Sequence, residues 1–97
     1  MDARIGGLVK RDQTGNTQNM LRSEQMRAAR ALLGWKQEDL AKKAKVGLAT
    51  IQRLERGSGP LMAHVSTVLK IEGAFVRAGM AFVEPSAEGG MGVRLKR

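Results

Sequence analysis

Apolar residues recur along the chain with two different spacings, and each spacing predicts a different kind of element. Between residues 23 and 79 they fall three, four or seven positions apart, as on the buried face of an amphipathic helix. After residue 79 they alternate with other residues, as Met80, Phe82, Val93 and Leu95 do, which is the period of a half-buried strand. The pattern therefore predicts a mainly helical domain followed by a two-stranded hairpin.

Breaks in the helical pattern divide it into four helices. The first begins at Ser23, whose hydroxyl suits an N-cap, and it stops at Gly34. The second is expected over residues 37–44, the third over 48–56 and the fourth over about 62–78. Because only a short turn separates the second helix from the third, these two helices must cross steeply.

Residues 1–22 differ from the rest of the chain, since glycine, asparagine and scattered charges interrupt every period there. We expect a mobile arm over this stretch, with a short strand at residues 5–9 as its one candidate element. The expected organisation is an arm at 1–22, a helical domain at 23–79 and a hairpin at 80–97. A lone hairpin is marginal in water, so it needs the helices or a second subunit to cover it.

The charge balance narrows the choice of partner. Lysine and arginine total 17 against 9 acidic residues, which gives a net charge of +8. Such a surplus favours a polyanion: DNA, RNA or an anionic membrane surface. Aromatic residues make up only 3% of the chain, which argues against proteins that stack single-stranded bases on aromatic platforms. Duplex DNA is the preferred partner.

The residue types that most enzymes and metal sites require are scarce. The chain has no cysteine, which excludes disulfides and thiolate zinc sites. His64 stands alone, and no serine is accompanied by a histidine and carboxylate set for nucleophilic catalysis. We therefore expect no enzyme activity, no metal and no cofactor. No signal peptide or membrane-spanning run is recognisable, so we expect a cytoplasmic protein, nucleoid-associated when bound to DNA.

Over about residues 23–78, the sequence resembles the lambda-repressor-like helix-turn-helix family, also called the Xre or Cro-like family. The resemblance is carried by Arg30-Ala31-Leu32-Leu33-Gly34-Trp35-Lys36-Gln37, Leu40-Ala41 and Ile51-Gln52-Arg53-Leu54-Glu55-Arg56-Gly57. The segment after residue 78 resembles a bacterial subgroup that appends a β-hairpin. The resemblance implies a four-helix helix-turn-helix domain, mainly α, with an N-terminal arm and a C-terminal hairpin.

The resemblance also implies roles for individual residues. Base edges would be contacted from the third helix by Leu48, Ala49, Thr50 and Arg53. The DNA backbone would be contacted by Lys36, Gln37, Lys43, Gln52, Arg56 and Ser58. Arg30 and Glu55 match a structural salt bridge between the first and third helices. Lys42, Lys43 and Lys45 form a short basic run. The alternative to phosphate contact for this run is a solvated helix face that does not touch DNA.

Two positions depart from the family pattern. The turn position of Lys45 is often glycine in the family, because a left-handed backbone is unfavourable for other residues. The N-cap of the third helix is Gly47 instead of serine or threonine. Both departures predict a turn that is slightly strained or loosened.

The expected function is transcriptional regulation, with repression as the default, by a homodimer on two half-sites about 34–36 Å apart. The hairpin or the fourth helix is the candidate dimer surface. Two alternatives remain open: an antitoxin-type protein-interaction module that also binds its own promoter, and a basic RNA-binding protein.

Overall fold

A computed structural model describes residues 21–96. Within them lie four helices and one antiparallel hairpin: α1 (Ser23–Leu33), α2 (Gln37–Ala44), α3 (Leu48–Arg56), α4 (Val65–Arg77), β1 (Met80–Val83) and β2 (Gly92–Leu95). The predicted mainly α fold with a C-terminal hairpin is confirmed, and the bounds of α2 and α3 agree with the prediction. The expected arm, with its candidate strand at 5–9, lies outside the described residues except for Leu21 and Arg22.

The start of α1 differs from the prediction. Its N-cap is Arg22, whose backbone N–H donates to Oε1 of Gln25 over 3.1 Å. Ser23 is buried, and its hydroxyl donates to the carbonyl oxygen of Leu54 in α3 over 2.8 Å. The prediction that Ser23 caps α1 is therefore wrong, because this hydroxyl ties α1 to α3 instead. The predicted end of α1 at Gly34 is confirmed, since Gly34 takes the left-handed conformation with φ 70°.

A short extended pairing delays the start of α4. The Leu61 N–H donates to the Leu21 carbonyl over 3.1 Å, and the Ser23 N–H donates to the Gly59 carbonyl over 2.9 Å. These bonds hold the chain around residue 60 in an extended form. The helix consequently begins at Val65 and ends at Arg77, inside the predicted span of 62–78.

The turn between α2 and α3 contains the strained residue that the sequence predicts. Lys45 has φ 59° and ψ 47°, and within residues 21–96 no other non-glycine residue has a positive φ. The Val46 N–H then donates to the Ala41 carbonyl over 3.1 Å, which closes the end of α2. Gly47 is the N-cap of α3 and has no side chain to cap it.

Replacing Lys45 with glycine is expected to raise the free energy of unfolding by about 0.5–1 kcal/mol, because relief of the left-handed strain exceeds the entropic cost of glycine. Urea unfolding followed by circular dichroism measures the change. Lys42→Gly is the matched control, since Lys42 is equally exposed but helical. It should lose about 1 kcal/mol. A loss of stability in both variants would contradict the strain at Lys45.

The core lies between the helices and is closed at one end by the hairpin. Its largest fully buried side chains are Met26, Leu40, Ile51, Ile71, Phe75 and Met80. Trp35, in the α1–α2 connection, is partly buried and stacks on Phe75 with ring centroids 5.6 Å apart. Phe82 of β1 meets Phe75 edge-on at 6.0 Å. The aromatic rings thus join the α1–α2 connection, α4 and the hairpin in one cluster.

The hairpin is held to the helices by a polar contact as well as by the core. Met80 pairs with Leu95 and Val83 with Gly92 in the antiparallel register. The side-chain amide of Gln25 donates to the Gly92 carbonyl over 3.1 Å. Because α1 holds β2 and the core holds β1, the hairpin has the cover that an isolated one lacks.

Candidate nucleic-acid interface

The two faces of α3 have different surroundings. The inner face is buried and consists of Ile51, Leu54 and Glu55. The outer positions Ala49, Gln52, Arg53 and Arg56 are exposed. Glu55 is the sole acidic residue of α3, and it is buried, so the exposed surface of this helix carries only positive charge. A helix anchored on one side and cationic on the other is suited to a polyanionic groove.

A single buried carboxylate connects the first three helices. Glu55 is 5% exposed, and it accepts from Arg30 through Nε at 2.6 Å and Nη2 at 2.8 Å. It also accepts from Nε2 of Gln37 at 3.0 Å. The same Arg30 donates to the Trp35 carbonyl over 2.9 Å. α1, α2 and α3 are therefore fixed relative to one another by one charge-assisted network.

The ionisation of this network follows from its geometry. Hydrogen bonding to Glu55 raises the pKa of the Arg30 guanidinium above its ordinary value, against the opposing effect of burial. The guanidinium therefore stays charged. The two parallel hydrogen bonds form the bidentate arrangement that arginine makes with carboxylates. This pair therefore ties α3 to α1.

The end of α3 and the segment after it are also held by α1. Arg27 donates through Nη1 to the carbonyl oxygens of Glu55 and Gly57. The Glu24 carboxylate accepts the Gly59 N–H at 3.1 and 3.2 Å. Hydrogen bonds from its own backbone N–H and from Gly59 lower the pKa of Glu24. The last turn of α3 thus has partners for carbonyls that a helix end leaves unpaired.

Sequence reasoning missed Ser23 and Arg27 as anchors of α3. Both lie on the same face of α1 as Arg30, because positions 23, 27 and 30 are spaced four and three residues apart. That spacing was visible in the sequence. It would have placed all three polar side chains toward whichever element Arg30 contacts.

The four predicted base-contacting residues are not equally accessible. Ala49 and Arg53 are exposed, whereas Leu48 and Thr50 are partly buried. Leu48 packs against the core. The Arg53 guanidinium donates weakly to the Met62 carbonyl over 3.4 Å, so it rests beside the loop that follows α3. Arg53 is the charged member of the set, and it lies on the exposed side of α3.

The six residues predicted to contact the DNA backbone divide into three groups. Gln52, Arg56 and Ser58 are exposed on α3 and just after it. Lys36 and Gln37 lie at the start of α2, where the Gln37 amide is already bonded to Glu55. Lys43 lies elsewhere, since its Nζ sits 5.3 Å from the centre of the Trp35 ring on the side of α2 that faces α4.

Metal-binding clusters and membrane-spanning helices are absent from residues 21–96. Within residues 21–96 no group of histidine, aspartate and glutamate side chains is arranged to hold a metal ion. No helix of that stretch is long and apolar enough to cross a membrane. The candidate site is the exposed surface of α3, because its outer positions are cationic and its inner face is anchored.

Comparison with known proteins identifies the family. The helix-turn-helix family model matches residues 26–75, which is more than half of the 97-residue chain. The match includes α2, α3 and the turn between them. No curated protein matches the chain. The matched family consists of DNA-binding regulatory domains, so the chain is a DNA-binding regulator that belongs to the helix-turn-helix family of the Xre or lambda-repressor-like type.

Proposed function

We propose that the protein represses transcription by inserting α3 into the major groove of a specific duplex DNA site. The observation that carries the proposal is the division of α3 into a buried, hydrogen-bonded inner face and an exposed cationic outer face. A helix with side chains is about 10–12 Å across, and the major groove is about 12 Å wide. The rigid anchoring at Glu55 lets α3 enter the groove without reorganisation.

Base readout in this proposal rests mainly on Arg53. Its exposed guanidinium has the fork of donors that pairs with O6 and N7 of guanine. Ala49 is exposed beside it and suits a thymine methyl group. Leu48 and Thr50, being partly buried, reach base edges through the part of each side chain that remains accessible. Because each subunit has one strong polar contact with a base, we expect moderate specificity for the DNA sequence.

Contacts with the DNA backbone on either side of α3 fix the depth of this helix in the major groove. Gln52, Arg56 and Ser58 provide exposed donors at one end, and Lys36 provides a cation at the start of α2. Gln37 bonds Glu55 with one N–H of its amide, which leaves its second N–H for a phosphate. The Glu55 carboxylate would thereby orient a DNA contact while remaining buried.

The protein acts as a homodimer in this proposal. Exposed apolar side chains support it, because Val65, Leu69 and Val76 share one face of α4, and Val83 and Leu95 are exposed on the hairpin. Two copies related by a two-fold axis present two α3 helices to half-sites about 34–36 Å apart. A dimer bound in this way across a promoter blocks the polymerase.

Selection of binding sites from random duplex DNA, at about physiological salt, tests the proposal. We expect enrichment of a motif with two-fold symmetry, because each subunit reads one half-site. Salt-sensitive binding without enrichment would contradict sequence-specific recognition, since charge alone gives affinity for any duplex. Enrichment of a single asymmetric half-site would retain the α3 readout and contradict the dimer.

A further inference from the structure

A second cationic region lies away from α3, between the end of α2 and the outer face of α4. A cavity of about 570 Å³ is lined there by Lys43, Ala44, Lys45, Lys70 and Arg77. A cavity of about 240 Å³ adjoins it and is lined by Trp35, Lys43, Ala74, Arg77 and Ala78. The two cavities share Lys43 and Arg77, and we refer to them together as the α2–α4 groove. No residue of α3 lines it.

Two of the four cations are held in place by other groups. Nη2 of Arg77 donates to the Lys43 carbonyl over 3.3 Å, which bridges α4 and α2. A β-carbon added at Gly73 would lie 3.1 Å from Nη1 of Arg77, so the glycine leaves room for the guanidinium to lie along α4. The Lys43 ammonium lies over the Trp35 ring. The groove is thus partly preorganised, which lowers the entropic cost of binding.

The positive charge of the groove exceeds what the fold requires. Glu24 and Glu55 form ion pairs with Arg22 and Arg30, so neither of these two carboxylates neutralises a cation of the groove. The C-terminal ends of α2 and α4 supply only about −0.5 charge each. Set against these two helix ends, the four cations leave the groove with a net positive charge. A bound anion would relieve the repulsion among them.

The chemistry and size of the groove select the ligand. Arginine binds phosphate through two parallel hydrogen bonds, and lysine binds it as a point charge. A cavity of several hundred cubic ångströms suits a small molecule. The other lining residues include the small side chains of Ala44, Ala74 and Ala78, which leave room for one.

We propose that the α2–α4 groove binds a small anion that carries two or more phosphate groups. Lys43 and Arg77, which line both cavities, bind one phosphate. Lys45 and Lys70, which line only the larger cavity, bind the next. This site is separate from the proposed DNA-reading surface, so the titration of the free protein does not depend on the proposed repressor function.

The protein carries its own reporter for this site. Trp35 is the one tryptophan of the chain, and it lines the smaller cavity. Its fluorescence should therefore respond when a phosphate draws the Lys43 ammonium away from the ring. We expect a saturable change on titrating the full chain with tripolyphosphate, with inorganic phosphate binding more weakly. No saturable change with tripolyphosphate would overturn the proposal.

Variants separate the groove from general charge attraction. Lys70→Ala and Lys45→Gly should each weaken tripolyphosphate binding roughly tenfold, the loss expected for one charge-assisted contact. Lys42→Ala removes the same charge from an α2 position that does not line either cavity, and it should leave the midpoint unchanged. Since Lys45→Gly is expected to stabilise the fold, unfolding cannot explain its loss of binding. Equal weakening by Lys42→Ala and Lys70→Ala would overturn the site.

A second experiment distinguishes a free anion from the phosphates of DNA as the ligand of the groove. The protein is first saturated with its selected duplex and then titrated with tripolyphosphate. A Trp35 response with an unchanged midpoint is the expected result, because the groove is separate from α3. If the duplex itself produces the Trp35 response and Lys70→Ala abolishes it, the groove holds the DNA backbone and the small-anion proposal is wrong.

Discussion

Replacing Arg30 with methionine is expected to lower the free energy of unfolding by about 3–5 kcal/mol, the usual cost of removing one partner of a buried ion pair. The loss is large because Glu55 is 5% exposed and would keep only its bond from Gln37. Against a total stability of about 5–15 kcal/mol for a domain, the variant would be close to unfolding. Urea denaturation followed by circular dichroism measures the change.

Two further variants show whether the loss comes from the unpaired Glu55 carboxylate. Arg27→Met removes an arginine from the same helix that donates only to backbone carbonyls, and it should cost about 1 kcal/mol. Arg30→Met combined with Glu55→Leu removes both charges and should recover much of the stability, because an apolar pair replaces a buried ionic one. A loss below about 1 kcal/mol for Arg30→Met alone would place the pair among ordinary surface salt bridges.

The second large effect is expected on DNA recognition. Arg53→Ala should weaken binding to the selected site by about 1–3 kcal/mol and relax the preference at one base pair in each half-site. The reason is that Arg53 is the charged, exposed member of the predicted base-contacting set. Fluorescence anisotropy with the selected duplex gives the affinity, and a repeat of the selection gives the preference.

Controls distinguish base readout from attraction to phosphate. Arg53→Lys keeps the charge but loses the two-pronged donor geometry, so it should retain non-specific binding and lose discrimination. Arg56→Ala should weaken binding to all sequences alike and reduce the salt slope by about one unit. If Arg53→Ala has the same profile as Arg56→Ala, Arg53 contacts the backbone and the readout assignment is wrong.

Helix bounds were predictable where the chain carries local signals for them. Gly34, Gly47 and Gly57 lie at the end of α1, the start of α3 and the end of α3. The strain at Lys45 was predictable only through the resemblance, because the family often has glycine at that position. The late start of α4 was not predictable, because it depends on the pairing of Leu61 with Leu21. That pairing joins residues distant in sequence and has no local signature.

The partners of polar side chains were harder to predict than their exposure. A serine before an amphipathic helix usually caps it, but Ser23 bonds a carbonyl 31 residues away. The contact of Lys43 with DNA stays a prediction. Helical periodicity shows only that this lysine faces outward, and not which neighbour its ammonium meets. The α2–α4 groove went unseen for the same reason, since Lys70 and Arg77 join Lys43 and Lys45 only after α4 packs on α2.

The anchoring of α3 has a consequence for how recognition can diversify. The residues that hold α3 in place are Ile51, Leu54 and Glu55, and none of them is among its exposed outer positions. Exchange of the outer residues should therefore cost little in folding. In the proposed binding mode, the domain is a scaffold on which new operator preferences can be grafted or can evolve one residue at a time, while the supporting framework stays constant.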